Sequence, residues 1–264
     1  MTHLIKTDAG DPRLASYRDL KANRKWAAPE GFIVETELVL ERLLSSEFET
    51  TEVVLSESKA NRLSQTIPQD IPVFVLERSE LEKLVGFDLH RGVLARARRP
   101  EALFPPPLSP LQVDQRWLFG ENVTDPGNVG TLIRIASTLG FDGVYFDSAS
   151  SNPFSRRAAR SSAGHIFRVP VHVVETSALL THFSSGSVIA AALKDDSLNS
   201  FELRASGTAT LLAVGNEGFG LSDDVLEAAT ATVKIPMAES DDSLNVATAA
   251  AILCHQLSNL RGPM

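Results

Sequence analysis

The sequence predicts an α/β protein of two domains, a smaller one over residues 1–107 and a larger one with a parallel sheet over 108–264. Three observations predict it. Short β-rich runs alternate with segments of helical spacing along most of the chain, and such alternation favours parallel sheets covered by helices. The stretch PEALFPPPLSP places five prolines within residues 100–110. Proline lacks an N–H and fixes φ, so this stretch suits a stiff linker and marks the domain boundary. Finally, 264 residues are enough for two ordinary domains.

In the first domain the expected strands are FIV (32–34), EVVL (52–55) and VFVL (73–76). TELVLERLL (36–44) and ESKANRLSQTI (57–67) have helical apolar spacing. A third helix is expected from Ser79, with Glu82 completing a capping box. GVLARAR (92–98) alternates apolar and basic residues, as a strand with one solvent face would. In the second domain WLF (117–119), GVYF (143–146), FRVPVHVV (167–174), VIAAAL (188–193), TLLAV (210–214) and TVKI (232–235) read as strands. Helices are expected over about Val129–Leu139, over RRAARSSAG (156–164), over SDDVLEAA (222–229) and over a long final segment, 243–260.

Composition narrows the function classes. The net charge of −8 argues against a non-specific nucleic-acid coat, with −2 on residues 1–107 and −6 on 108–264. Two basic clusters stand out, Arg91, Arg96, Arg98 and Arg99, then Arg156, Arg157, Arg160 and Arg168. Each is either a solvated face or a local phosphate site. Cys254 is the only cysteine, which excludes an internal disulfide and a CxxC site. The six histidines lack metal-ligand spacing, so no metal is expected. No run is long enough to span a bilayer and the first residues lack an apolar signal core, so the cytoplasm is the expected location.

Ligands of parallel α/β sheets sit at the C-terminal ends of strands. Three loops there are unusual. ENVTDPGNVGTLIR (121–134) is neither GxGxxG nor a P-loop. It is either a tight strand-to-helix turn or an anion site in which Arg134 meets a phosphate or carboxylate near a helix start. VGNEGFGLS (214–222) carries three glycines and one ionisable group, Glu217. It is either a surface turn or a place where a ligand approaches the backbone. IPMAESDDSLNVATAA (235–250) offers Ser243 as a helix N-cap and Asn245 beside it.

In this order and spacing, NVTDPGNVGTLIR, GNEGFGLS and SLNVATAAAIL resemble the three motifs of the SpoU/TrmH branch of the SPOUT methyltransferases. The match covers about residues 115–260. The N-terminal third resembles the L30e-like RNA-binding domain that many members carry, through its strand–helix order and GFDLHRGVLAR. The resemblance implies a deep trefoil knot at the C-terminal end of the sheet, in which S-adenosylmethionine lies against backbone groups. It implies Leu193, Gly215, Glu217, Ile235 and Leu244 as cofactor contacts. It also implies transfer of a methyl group to a ribose 2′-hydroxyl of RNA, ribosomal RNA in preference to transfer RNA. Arg134 would then bind and orient a phosphate, with proton removal a second role. Asn122 would position the nucleotide, and Glu217, Ser243 and Asn245 would shape the site. Arg91, Arg96, Arg156, Arg157 and Arg160 would follow the RNA backbone, with the last three on the catalytic domain. Family members are typically homodimers, and the alanines of the final helix suit either an interface or a core. Two other readings stay open: a non-catalytic RNA-binding or ribosome-assembly protein, and a Rossmann enzyme, which the missing GxGxxG disfavours.

Overall fold

The computed structural model describes residues 4–18, 20, 31–98, 108–204, 207–216, 218–238 and 243–258. Most of the expected linker (100–107), Arg99 and Glu217 lie outside the described residues. The elements run in chain order as β1 (Leu4–Lys6), β2 (Phe32–Glu35), α1 (Glu37–Leu44), β3 (Thr50–Ser56), α2 (Glu57–Leu63), β4 (Val73–Leu76), α3 (Arg78–Val85) and β5 (Val93–Ala97). They continue as β6 (Arg116–Gly120), α4 (Pro126–Thr138), β7 (Gly143–Phe146), α5 (Arg156–Ser161), β8 (Val171–Val173), α6 (Thr176–His182) and β9 (Ser187–Ala191). The last are β10 (Leu198–Asn199), β11 (Thr210–Val214), α7 (Asp223–Ala228), β12 (Ala231–Lys234) and α8 (Val246–Ser258). Two compact units result: Met1–Pro100 with Phe154–Phe167, and Glu101–Pro153 with Arg168–Met264.

The first unit holds a sheet of order β1-β4-β3-β5-β2. β1, β4 and β3 are parallel, whereas β5 runs antiparallel to both β3 and β2. The apolar runs VVL and VFVL are buried throughout, as inner strands covered on both faces must be. Two expectations change here. β5 has no open solvent face: Val93, Leu94, Ala95 and Ala97 are all buried and Arg96 is half-buried, because β5 lies inside the sheet between β3 and β2. The capping box at Ser79 does not form. The helix begins at Arg78, so Ser79 is already inside it, and Glu82 accepts from Arg78 Nε at 2.8 Å.

Residues 154–167 cluster with this first unit although their position in the chain suggests the second. The cause is packing. Phe154 meets Phe32 edge-on with ring centroids 5.1 Å apart, and Phe167 meets Phe48 at 5.0 Å. The carboxylate of Glu35, 4% exposed, is clamped by Arg156 and by Arg160 Nη1 at 2.7 Å. Arg156 also lies over the ring of Phe87 at 4.5 Å. Arg156, Arg157 and Arg160, expected on the second domain, therefore cluster with the first unit. Glu35→Gln keeps the shape but removes the charge both guanidiniums face. It is expected to destabilise this unit by about 2 kcal/mol, read as a melting transition several degrees lower.

The second unit is a seven-stranded, all-parallel sheet of order β10-β12-β9-β11-β6-β7-β8. β11 and β6 lie at its centre, with Leu118, Phe119, Leu211, Leu212 and Ala213 fully buried. Three expectations shift. Only Val171–Val173 of FRVPVHVV is strand, because Pro170 has no N–H to give the ladder and residues 165–167 form a 3₁₀ turn. α4 starts at Pro126 rather than near Asn128, since Asp125 is its N-cap and proline suits the first helical position. The two-residue edge strand β10 is too short to announce itself in sequence. Among the described residues, no helix is long and apolar enough to cross a membrane.

Candidate active site

From β6 the chain turns to β7 and β8 on one side, then crosses to β9 on the other. The order therefore reverses beside β6 and β11, and the crevice outside their C-terminal ends is where a ligand belongs. The three unusual loops meet there.

The first loop follows β6. Asn122 has φ +52, a left-handed conformation that asparagine tolerates better than most residues. Its N–H donates to Asp147 Oδ1 at 2.9 Å, and the N–H of Val123 donates to Ser150 Oγ at 2.9 Å. Asp125 accepts from the N–H of Gly127 and opens α4. Arg134 is then the ninth residue of α4, roughly 12 Å along the axis, and not in the first turns. Helical Cα–Cβ bonds lean toward the N-terminus, so a long side chain at this position can reach back toward the start of the helix. Arg134 is exposed and makes no ion pair among the described residues.

The second loop follows β11 and folds back on itself. Asn216 and Gly220 exchange backbone hydrogen bonds of 3.2 and 2.8 Å. A Cβ on Gly215 would stand 2.3 Å from the carbonyl oxygen of Gly220, so only glycine fits. Asn216 Nδ2 donates to the carbonyl of Asn122 at 3.0 Å. The carboxylate of Glu121, 7% exposed, accepts both the N–H and the O–H of Ser222 at 2.7 Å. These bonds fasten the second loop to the first.

The third loop leads into α8. Asn245, not Ser243, caps that helix: its Oδ1 accepts from Ala247 at 3.0 Å and Thr248 at 3.4 Å. Its Nδ2 donates to Asn128 Oδ1 at 3.2 Å, which ties this loop to the start of α4. Ser243 is exposed. Cys254 is buried within α8, and burial pushes its thiol well above the ordinary range, so it is no nucleophile near neutral pH.

Between the second and third loops lies a cavity of about 410 Å³, within the range of small-molecule sites. Leu193, Gly215, Ile235 and Leu244 all line it, together with Val214 and Val246. Lys234 also reaches it, but its Nζ is turned to the carbonyls of Lys194 and Asp195 at 3.1 Å. Apolar walls with exposed backbone and no room for a side chain at Gly215 suit a flat, polar-edged cofactor laid against the main chain. Among the described residues there is no cluster of His, Cys, Asp or Glu that could hold a metal.

The other candidates fall elsewhere. Arg91 and Arg157 are exposed, and Arg96 on β5 lies 3.9 Å from Glu52. Arg156 and Arg160 converge on Glu35. Sequence reasoning overlooked Glu121, Asn128, Asp147, Ser150 and Asn216, whose bonds join the loops. Glu121 and Asp147 each follow directly on the C-terminal end of a strand, which was the available signal.

A parallel sheet whose loops interlock beside a cavity at the C-terminal ends of its strands has the architecture of a ligand-binding α/β protein. The SpoU rRNA methylase family model matches residues 116–255, just over half of the chain, and the chain belongs to this family. It is an RNA methyltransferase with S-adenosylmethionine as methyl donor. A protein of Mycobacterium bovis named as an uncharacterized tRNA/rRNA methyltransferase is 33% identical over 261 residues, 94% of this chain and 89% of that one. The 23S rRNA guanosine 2′-O-methyltransferase RlmP of Bacillus subtilis is 24% identical over 249 residues, covering 94% and 97% of the two chains. The fold matches the SpoU methyltransferase AviRb of Streptomyces viridochromogenes, solved with the cofactor AdoMet, at a TM-score of 0.80. That match has 23% identity and covers 94% of this chain and 97% of AviRb.

Proposed function

We propose that the enzyme methylates a ribose 2′-hydroxyl of ribosomal RNA, with the methyl donor held in the cavity lined by Leu193, Gly215, Ile235 and Leu244. The observation that carries this reading is the interlocking of the three loops, Asn122 with Asn216, Glu121 with Ser222 and Asn128 with Asn245, on the helix that presents Arg134. The site named for RlmP, a guanosine 2′-O position, supports the ribose and the ribosomal substrate.

The bound donor supplies an electrophilic methyl group. The chain must align the ribose hydroxyl, hold the nucleotide and give the hydroxyl proton a path away. Arg134 takes the phosphate role, because a guanidinium keeps its proton in proteins and offers a two-pronged fork to an anion. Asn122 is assigned to positioning the nucleotide, and Asp147 and Asn216 hold its backbone. Asn245 serves as a positioning residue, since both ends of its amide are engaged within the chain. Ser243 adds a hydroxyl to the lining of the cavity, and Glu217, also assigned to the site, lies outside the described residues. The loops that bound the cavity are the part of the chain where the trefoil knot belongs.

We read residues 1–107 as an L30e-like RNA-binding domain and 108–264 as the methyltransferase domain. Arg91, Arg96, Arg156, Arg157 and Arg160 would follow the RNA backbone, with Arg91 and Arg157 at exposed positions. We also read the enzyme as a cytoplasmic homodimer. Ala247 and Ala250 are buried within the chain and Ala249 lines the cavity, which leaves Ala251 as the small residue available to a partner.

The test is transfer of labelled methyl to separated ribosomal and transfer RNA, followed by digestion to nucleosides. A 2′-O-methylnucleoside from ribosomal RNA is the expected product. Label confined to transfer RNA would move the substrate, and binding without label would return the protein to the non-catalytic class.

A further inference from the structure

We propose that Phe219 is a stacking platform for the base of the nucleotide being methylated, an inference that rests on the ribose-methylation reading above. At 88% exposure its ring is the most exposed large apolar side chain among the described residues. Water disfavours such a surface, and an aromatic face displayed at a ligand cavity is suited to another flat π-system.

The ring stands at the lip of the donor cavity, and its backbone is held firmly. Asn216 Oδ1 accepts the N–H groups of Gly218 at 2.8 Å and Phe219 at 3.2 Å. The other end of the same amide donates to the carbonyl of Asn122. One side chain thus fixes both the base of the ring and the loop assigned to the nucleotide. The residues flanking Phe219 are glycines, so no neighbouring side chain crowds the ring along the chain. A Cβ on Gly220 would meet nothing within 4 Å, and one on Gly218 only Asn216 Oδ1 at 3.3 Å.

The occupant argued here is a nucleobase of the RNA. A ring this exposed at the edge of the cavity is open to a flat ligand arriving from solvent. Single-stranded loops and bulges of RNA present unstacked bases, and unstacked bases are held by stacking on aromatic side chains. Stacking accepts any base, so Phe219 orients the nucleotide without choosing its sequence.

The experiment compares wild type with Phe219→Ala, Phe219→Leu and Phe219→Tyr on an in vitro ribosomal RNA transcript. Methyl-transfer KM and kcat, calorimetric affinity for S-adenosylmethionine and mass by light scattering are read for each. The alanine variant is expected to raise KM for RNA by roughly 10-fold or more. Donor affinity and mass should stay at wild-type values, tyrosine should restore KM and leucine should not. Donor affinity falling as much as RNA affinity would assign the ring to the cofactor. Loss of mass would assign it to a subunit contact, and an unchanged or leucine-rescued KM would remove the stacking role. If wild type labels no RNA, the ribose reading fails and takes this proposal with it; if wild type is active and alanine matches it, only this proposal fails.

Discussion

Arg134→Ala is expected to lower the turnover of methyl transfer by about 100-fold or more while donor affinity stays within about twofold. The arginine lies in the third turn of α4, exposed, among Leu132, Ile133 and Ala136 that pack into the core. An alanine there is a good helix former and disturbs no buried contact, so the fold should not respond. What is lost, on the reading proposed above, is the guanidinium fork assigned to the phosphate. Arg134→Lys restores the charge without the two parallel donors and should recover only part of the rate. Single-turnover kinetics with saturating RNA, together with calorimetry for the donor, check the prediction. A variant with unimpaired turnover would remove Arg134 from the reaction. A variant that fails to bind the donor would place the arginine in the cofactor site instead.

Gly215→Ala should weaken S-adenosylmethionine binding by at least about tenfold, the equivalent of about 1.4 kcal/mol. The added Cβ would sit 2.3 Å from the Gly220 oxygen and 2.6 Å from the Leu221 nitrogen. Both are backbone atoms of the return limb of the loop, and neither can swing aside as a side-chain tip would. The loop must open, and the cavity wall opens with it. Gly218→Ala is the internal comparison. Its Cβ would meet only the side-chain oxygen of Asn216 at 3.3 Å, so donor affinity should change little. The melting temperature of both variants separates a local change in the loop from loss of the sheet. Wild-type donor affinity in Gly215→Ala would mean that the donor lies elsewhere.

Much of the fold is legible in the residues. The β-branched runs VVL, VFVL, GVYF and TLLAV form strands because their apolar side chains satisfy two buried faces. Ser222 caps α7 as its place at the head of SDDVLEAA suggests. The candidate site is legible to the extent that chemistry is concentrated in the loops after β6, β11 and β12. The errors have local causes. The start of α4 moved because Asp125 and Pro126 together make a stronger helix entry than Asn128. The cap of α8 moved because Asn245 reaches two backbone N–H groups at once.

What the sequence by itself determined is the α/β class, the alternation of elements and the residue types at the site. These depend on periodicity, turn chemistry and spacing, all of which act over a few residues. Only the tertiary structure decided which distant groups meet. Glu121 finds Ser222, Asn122 finds Asn216 and Asn128 finds Asn245, across separations of about a hundred residues. Residues 154–167 leave their neighbours for the first unit, drawn by Phe32, Phe48 and the buried carboxylate of Glu35. The physical reason is plainest for the buried carboxylates of Glu121 and Glu35 and for the packed phenylalanines. A buried polar group must be paired and an aromatic ring must be covered. Neither requirement says where along the chain the partner will be found.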